Sequence, residues 1–413
     1  MSSRLIFHVD VNSAFLSWES AKRVRNGEED LRLIPSAIGG DRESRRGVIL
    51  AKSIPAKKMG VKTGEPIAAA LRKCPTLFLA NPDFELYHES SLAFIAICRK
   101  YAPVVEQFSI DECFLDMSGT SRLYPDPVAI AHKIKDEIRD TLGFTVNIGV
   151  SYNKLLAKMA SDFEKPDRVH TLFGDELAEK FYPLPVRDLF TVGGATAEKL
   201  CSAGIFTIGE LAKTDRSRLY SMFGNKLSEH LWRYANALDD SPVLSDAEDA
   251  KGYSNSTTLA EDIVTTEEAQ RVLLSLCDSV ASRMRRDKCR AFCISVTIRG
   301  NDFKDHSHQR KLISPTDITS EIFACAKRLF SELWDRRTPL RLLGVALTDL
   351  TDDEETQLSM FDEERNGREQ EIDRLIDGIR EKFGSDTILR GSTMRYSEEV
   401  AKKHKAAQDA KKK

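Results

Sequence analysis

Two short stretches hold the side chains best suited to chemistry. Residues 109–116 read S-I-D-E-C-F-L-D, where adjacent carboxylates, Asp111 and Glu112, interrupt an apolar run; residues 5–11 read L-I-F-H-V-D-V, with Asp10 near the end. Neighbouring side chains of a strand point to opposite faces, so Asp111 and Glu112 can share one ion only at a strand end or bend. If the two stretches pair side by side, three carboxylates meet at one spot, which a protein interior tolerates only with cations bound there. Oxygen-only ligation favours Mg²⁺ over zinc. A solvated hairpin tip would carry the same Asp-Glu pair, so the surroundings must decide between the two readings.

The elements that must position these groups are legible around them. After Asp10 the chain runs V-N-S-A-F-L-S-W-E, a strand turning directly into a helix with Asn12 or Ser13 as its cap. That turn would bring backbone N–H groups beside Asp10, where a triphosphate could sit. Residues 149–166, G-V-S-Y-N-K-L-L-A-K-M-A-S-D-F-E-K-P, read as a strand end and then a helix, with Lys158 and Lys165 seven residues apart near one face. Pro166 follows Lys165, so the helix is expected to end there and leave that ammonium free to reach a phosphate.

With these residues in view the chain resembles the Y-family, or lesion-bypass, DNA polymerases, in their bacterial branch. The resemblance runs from about residue 4 to about residue 395 and rests on D-V-N-S-A-F, S-I-D-E-C-F-L-D and the G-V-S to K-P stretch occurring in this order. It implies an α+β multidomain right hand: a palm (1–12 and 80–170), small fingers (13–79), a helical thumb with a helix-hairpin-helix (171–238), a linker (239–250), a C-terminal βαββαβ-like little finger (251–350) and a flexible tail (351–413). It implies addition of dNTPs to a primer 3′-hydroxyl with two Mg²⁺ ions held by Asp10, Asp111, Glu112 and the Val11 carbonyl. Phe15 would block the 2′-hydroxyl of a ribonucleotide, or alternatively serve only as a first-turn staple. Ile54 and Lys57 stand where the family has a tyrosine and an arginine on the triphosphate, Lys165 would touch phosphate as well, and Asn12 and Ala14 depart from the usual aspartate and aromatic residue. Arg42, Arg45, Arg46 and Lys52 are candidates to compensate.

For DNA, the hairpin T-V-G-G at residues 191–194 offers backbone N–H groups near Gly193, with Thr191 in place of the usual first glycine. The little finger would lay Arg283, Arg285, Arg286, Lys288, Arg290, Arg299, Arg310 and Lys311 along phosphates, or leave some of them on a solvated face. The acidic run around Gln357, Leu358, Met360 and Phe361 resembles a sliding-clamp attachment motif, and a helix is expected over 371–383.

Composition sets the bounds. A chain of 413 residues exceeds one core and suggests about three domains. A net charge of −3 hides segregation, with acidic residues at 239–249 and 352–371 and basic ones at 283–290 and 402–413. Eight scattered cysteines have neither a C-x-x-C pair nor zinc spacing, so reduced thiols are expected. No apolar run is long enough to span a bilayer, and a cytoplasmic monomer is expected. Two rivals remain at this level: a nucleotide cyclase built on the same palm, which would need no duplex groove, and a catalytically weak or inactive accessory protein binding DNA, suggested by Ile54 and Lys57.

Overall fold

The computed structural model describes residues 4–40, 47–245, 249–352, 363–384 and 387–391. The chain divides near residue 247 into two compact units. The first begins with β1 (Ile6–Val11) and α1 (Ala14–Arg25), followed by β2 (Ser36–Gly39), β3 (Ile49–Lys52), α2 (Ile54–Lys58), α3 (Ile67–Lys73) and β4 (Phe78–Ala80). Then come α4 (Phe84–Arg99), β5 (Val104–Gln107), β6 (Glu112–Asp116), α5 (Pro127–Leu142), β7 (Val146–Ser151), α6 (Lys154–Ser161) and β8 (Val169–Thr171).

β1 is the middle strand of a five-stranded sheet ordered β5-β6-β1-β7-β8 and runs antiparallel to β6 and β7. The two-residue period sorts its side chains. Phe7, Val9 and Val11 enter the main core with Trp18, Tyr87, Phe94, Ile130 and Ile134 of α1, α4 and α5. Ile6, His8 and Asp10 face the other way, where Ile6 packs with Phe114 and with Ala157 of α6. At β7 the helix α6 comes so close that a Cβ on Gly149 would lie 1.9 Å from the Ala157 carbonyl oxygen, so only glycine fits.

A smaller sheet, β3-β2-β4, closes over Ile49, Ala56, Val61, Ile67 and Cys74. Beyond β8 the chain is helical: α7 (Gly194–Ser202), α8 (Ile208–Lys213) and α9 (Arg216–Ala235), the last interrupted at Gly224, whose φ is 74°. Leu200, Ile208, Leu211 and Leu231 pack there with Leu156 of α6. The first part of the stretch expected as exposed linker is strapped down instead. Val243 is buried on Ile6, Phe114 and Ala157; the Leu244 N–H donates to Glu106, and Asp239 accepts the Leu155 N–H at the start of α6. One valine and two well-placed carboxylates outweigh a composition that reads as solvated.

The second unit comprises β9 (Gly252–Ile263), α10 (Thr266–Arg286), β10 (Arg290–Gly300), β11 (Asp305–Thr316), α11 (Thr319–Leu333), β12 (Leu340–Thr351) and α12 (Glu363–Phe383). Its sheet, β11-β10-β12-β9, has α10 and α11 on one face, where Tyr253, Leu259, Ile294, Val296, Leu343 and Val345 meet Val272, Leu276 and Phe330. The opposite face carries Ser254, Ser256, Ser295, Thr297, Gly344, Ala346, Ser307 and Gln309 in register. The expected tail helix starts eight residues earlier than its periodicity suggests and is docked rather than free: Asp373, Asp377 and Arg380 of α12 pair with Arg285 and Asp278 of α10. All eight cysteines are free thiols, and among the described residues no helix is long and apolar enough to cross a membrane.

Candidate active site

Strand pairing sets Asp10 directly opposite Glu112, while Asp111 occupies the bend between β5 and β6 and its carbonyl accepts the Val11 N–H at 3.0 Å. The bend is closed by the Phe108 and Ser109 N–H groups, both donating to the Glu112 carbonyl. The Asp10 and Glu112 side chains project to the α6 side and are joined by ammonium groups. Lys158 Nζ stands 2.6 Å from Glu112 Oε1 and 3.4 Å from Asp10 Oδ2; Lys165 Nζ is 3.0 Å from Asp10 Oδ2. Asp111 accepts instead from its neighbour, Ser109 Oγ, at 2.6 Å. The convergence is therefore of two carboxylates with the third beside them, and among the described residues no three His, Cys, Asp or Glu side chains already form a metal cage.

Charge and burial work against each other here. Burial pushes the Glu112 carboxyl up, Lys158 opposes it, and the neighbouring Asp10 carboxyl pushes it further. Burial would lower Lys158, but Asp10, Asp162 and Glu112 overcome it and hold the ammonium above its ordinary value. Lys165 is raised in the same way, by Asp10 and Asp162 against burial. The carboxylates are oxygen-only donors whose charge draws in every cation within reach, the donor chemistry a hard divalent ion requires.

Lys158 lies on α6 as expected, but Lys165 reaches Asp10 by a different route. α6 ends at Ser161, four residues before Lys165, because Asp162 and Phe163 leave the helix in a tight turn whose N–H groups bond to Met159 and Ala160. Lys165 thus comes from a turn beyond the helix. The α1 start also differs: Ser13 is the N-cap but sits at φ 48° with no side-chain cap bond, and the Asn12 amide turns away to Asn147. His8, two residues before Asp10 on the same strand face, was findable by period alone. It is sealed beneath the site, its ring 4.6 Å from Phe114, and Nδ1 lies 2.8 Å from Ser161 Oγ. Burial first, then Lys158, Lys165 and Lys154, hold its pKa well below the usual histidine value.

Phe15 is half-buried, with its ring stacked on Tyr87 at 4.7 Å and 17°. Ile54 and Lys57 lie on α2; Ile54 is 51% exposed and Lys57 is exposed as well. Gly193 is the N-cap of α7, and Thr191 before it takes φ 74°, the left-handed conformation that a glycine adopts without cost.

In the second unit the basic list divides. Arg283, Arg285 and Arg286 are on α10, on the face of the sheet that the helices cover, whereas Arg290, Arg299, Arg310 and Lys311 are on β10 and β11. Arg285 in particular is 5% exposed and bonded to Asp373, Asp377, the Asp317 carbonyl and Thr319, which makes it an internal anchor rather than a phosphate contact. Arg286 lies 3.8 Å from Asp287, and Arg290 opens β10 opposite Thr351. Arg299 projects on the open face, paired with Asp305. Gln357, Leu358, Met360 and Phe361 lie outside the described residues, as do Arg42, Arg45 and Arg46.

This geometry has known relatives. The impB/mucB/samB family profile matches residues 9–162, its C-terminal domain residues 250–360, and a thumb domain described for DNA polymerase iota residues 187–239. The chain belongs to that family, the Y-family of DNA-directed DNA polymerases. It is 43% identical over 397 residues to DNA polymerase IV of Clostridium acetobutylicum, covering 96% of this chain and all of that one. It is 36% identical to DNA polymerase IV of Acetivibrio thermocellus, covering 94% and 97% of the two chains. A solved Y-family polymerase chimera of Dbh and Dpo4 superposes with a TM-score of 0.72 at 21% identity, covering 84% of this chain and all of the other, a likeness of fold.

Proposed function

We propose that the β1–β6 strand end is where this polymerase adds a dNTP to a primer 3′-hydroxyl on a template, including damaged templates. The observation that carries the proposal is the half-sealed Asp10–Glu112 pair, bridged by the Lys158 ammonium at the ends of two central strands, with Lys165 beside it. Asp10, Asp111, Glu112 and the Val11 carbonyl would hold two Mg²⁺ ions, which supply charge stabilisation for in-line displacement at the α-phosphate. The protein's own groups do the remaining work. Lys158 keeps Glu112 oriented, Lys165 exchanges its Asp10 contact for a phosphate oxygen of the incoming nucleotide, and Phe15, backed by Tyr87, forms a wall against a 2′-hydroxyl.

Primer-template DNA has two further supports. The Thr191–Gly194 hairpin presents backbone N–H groups at the start of α7, suited to a phosphate whatever the base. The open face of the second unit's sheet is paved with small polar side chains and edged by Arg299, so a backbone could approach it closely. The segment from Gln357 to Phe361 would tether the polymerase, acting as a cytoplasmic monomer, to a sliding clamp through three apolar side chains set among acids.

Primer extension by the purified chain with Mg²⁺ and dNTPs, on undamaged and lesion-bearing templates, tests this reading. Template-directed addition on both is expected. Binding of primer-template without addition would leave the accessory role that Ile54 and Lys57 suggest.

A further inference from the structure

Asn147 lies in β7 directly opposite Asp10 and is fully buried. A primary amide has two N–H donors and two acceptor lone pairs, and this one uses them all. Nδ2 donates to the carbonyls of Ser161, at 3.1 Å, and Glu164, at 2.7 Å. Oδ1 accepts from Asn12 Nδ2 at 3.1 Å and from the Arg168 N–H at 3.2 Å. The amide has only one workable orientation, because two carbonyls must meet the nitrogen and a backbone N–H must meet the oxygen.

These partners bracket the turn between α6 and β8. Ser161 ends the helix, and Glu164 and Arg168 flank the residues that carry Lys165. The same turn is held from its other side: Asn12 Oδ1 takes the Asp167 N–H at 2.9 Å and the Thr145 hydroxyl at 3.0 Å, and the buried Lys135 of α5 pairs with Asp167 at 2.9 Å. Asp167 itself sits at φ 61°, away from the conformation a helix would continue. The backbone on either side of Lys165 is thus tied to one buried amide, with Asn12 and Lys135 bracing Asp167, and Nζ reaches Asp10.

We propose that Asn147 is a positioning residue for nucleotide binding: it loops the 161–168 turn around its amide and so holds Lys165 where an incoming triphosphate must be met. This rests on the reading of Lys165 as a phosphate contact. Loss of the amide leaves Lys165 charged and present but no longer pre-organised, so its cost falls on dNTP binding more than on turnover. Asparagine is required by this account. Aspartate would set oxygens against two carbonyls, leucine would leave the Ser161 and Glu164 carbonyls and the Arg168 N–H unpaired, and serine is too short to reach both sides.

The test combines kinetics with hydrogen exchange on the full chain bound to primer-template. Asn147→Ser should raise the KM for dNTP roughly tenfold with kcat within about twofold, and should speed amide exchange in the 162–168 peptide while β1 and α4 keep their protection. In a Lys165→Ala background the same substitution should add no further rise in KM. An equal rise in both backgrounds, or unchanged exchange over 162–168, would overturn the proposal. Lys165→Ala alone reports on the phosphate reading: an unchanged KM removes that reading and with it the role of Asn147 in nucleotide binding, whereas a raised KM with unchanged exchange over 162–168 overturns the proposal for Asn147 alone. If Asn147→Ser does not fold, Asn12→Asp replaces the donor to Asn147 with an acceptor while keeping the Asp167 bond; the same exchange increase over 162–168 is expected, and its absence counts against the proposal.

Discussion

Two clusters of buried charge, one in each unit, look alike in sequence and differ in what they can do. At the β1–β6 strand end, Asp10 and Glu112 are neutralised by Lys158 and Lys165, and Lys165 remains 35% exposed. Around Arg285, the guanidinium and Asp373 are each only 5% exposed, and backbone and hydroxyl partners complete the network. The first cluster takes one of its cations from Lys165, which stands beyond the helix end and is partly exposed, so that an ion or a phosphate would have access to it. The second is closed, with its partners fixed on packed helices, and serves to pin α12. Partial access together with replaceable counter-charge, rather than charge density, separates a site from a fastener.

Removing divalent metal should have the largest effect and should separate the clusters most sharply. Chelation with EDTA is expected to lower nucleotide addition by roughly 10³-fold or more. The unfolding temperature should barely move, because the lysines already balance the carboxylates; a large loss of stability would mean that metal is part of the fold. Arg285→Ala makes the converse prediction. Removing the guanidinium takes Asp377's ion pair away and leaves Asp373 only Arg390 and the Thr319 N–H, and should cost up to about 3–5 kcal/mol of stability in the second unit, measured by denaturant unfolding. The salt dependence of DNA binding should be unchanged, and a shallower slope would return Arg285 to the DNA surface.

Phe15→Ala should relax sugar selection by roughly 10- to 100-fold in the dNTP-to-rNTP ratio, since its rear face is spent on Tyr87 and its front is the proposed wall. A constant ratio in paired single-nucleotide incorporations would make Phe15 a core residue only. A smaller change is expected for Lys57→Arg, which should lower the dNTP KM about fivefold by restoring a bidentate phosphate contact. An unchanged KM would place the triphosphate grip elsewhere.

How far the sequence could be read follows from the same contrast. The strands that carry Asp10 and Glu112 and the bend at Asp111 were legible because the two-residue period is a local rule, whereas their pairing stood only as a condition and the βαββαβ order of the second unit came with the family resemblance. Arg285 was misread because a basic residue at a helix end carries no mark of which face it occupies until α12, some ninety residues later, closes over it. Lys165 was placed on the wrong element, since the helix end depends on the turn that Asn147 organises, a contact between distant residues. Val243 shows the same limit, as one apolar residue in an acidic stretch reads as linker until the pocket formed by Ile6, Phe114 and Ala157 is known.

The central claim is that nucleotide addition takes place at the β1–β6 strand end, with DNA held elsewhere. Single-turnover addition of one dNTP by Asp10→Ala, Asp111→Ala and Glu112→Ala, with primer-template affinity measured on the same samples, tests it most directly. The account predicts a loss of at least about 10²–10³-fold in the rate of addition for each substitution, with DNA affinity within about twofold of wild type. Addition within a few-fold of wild type, or a loss of DNA affinity that accounts for the whole defect, would contradict it.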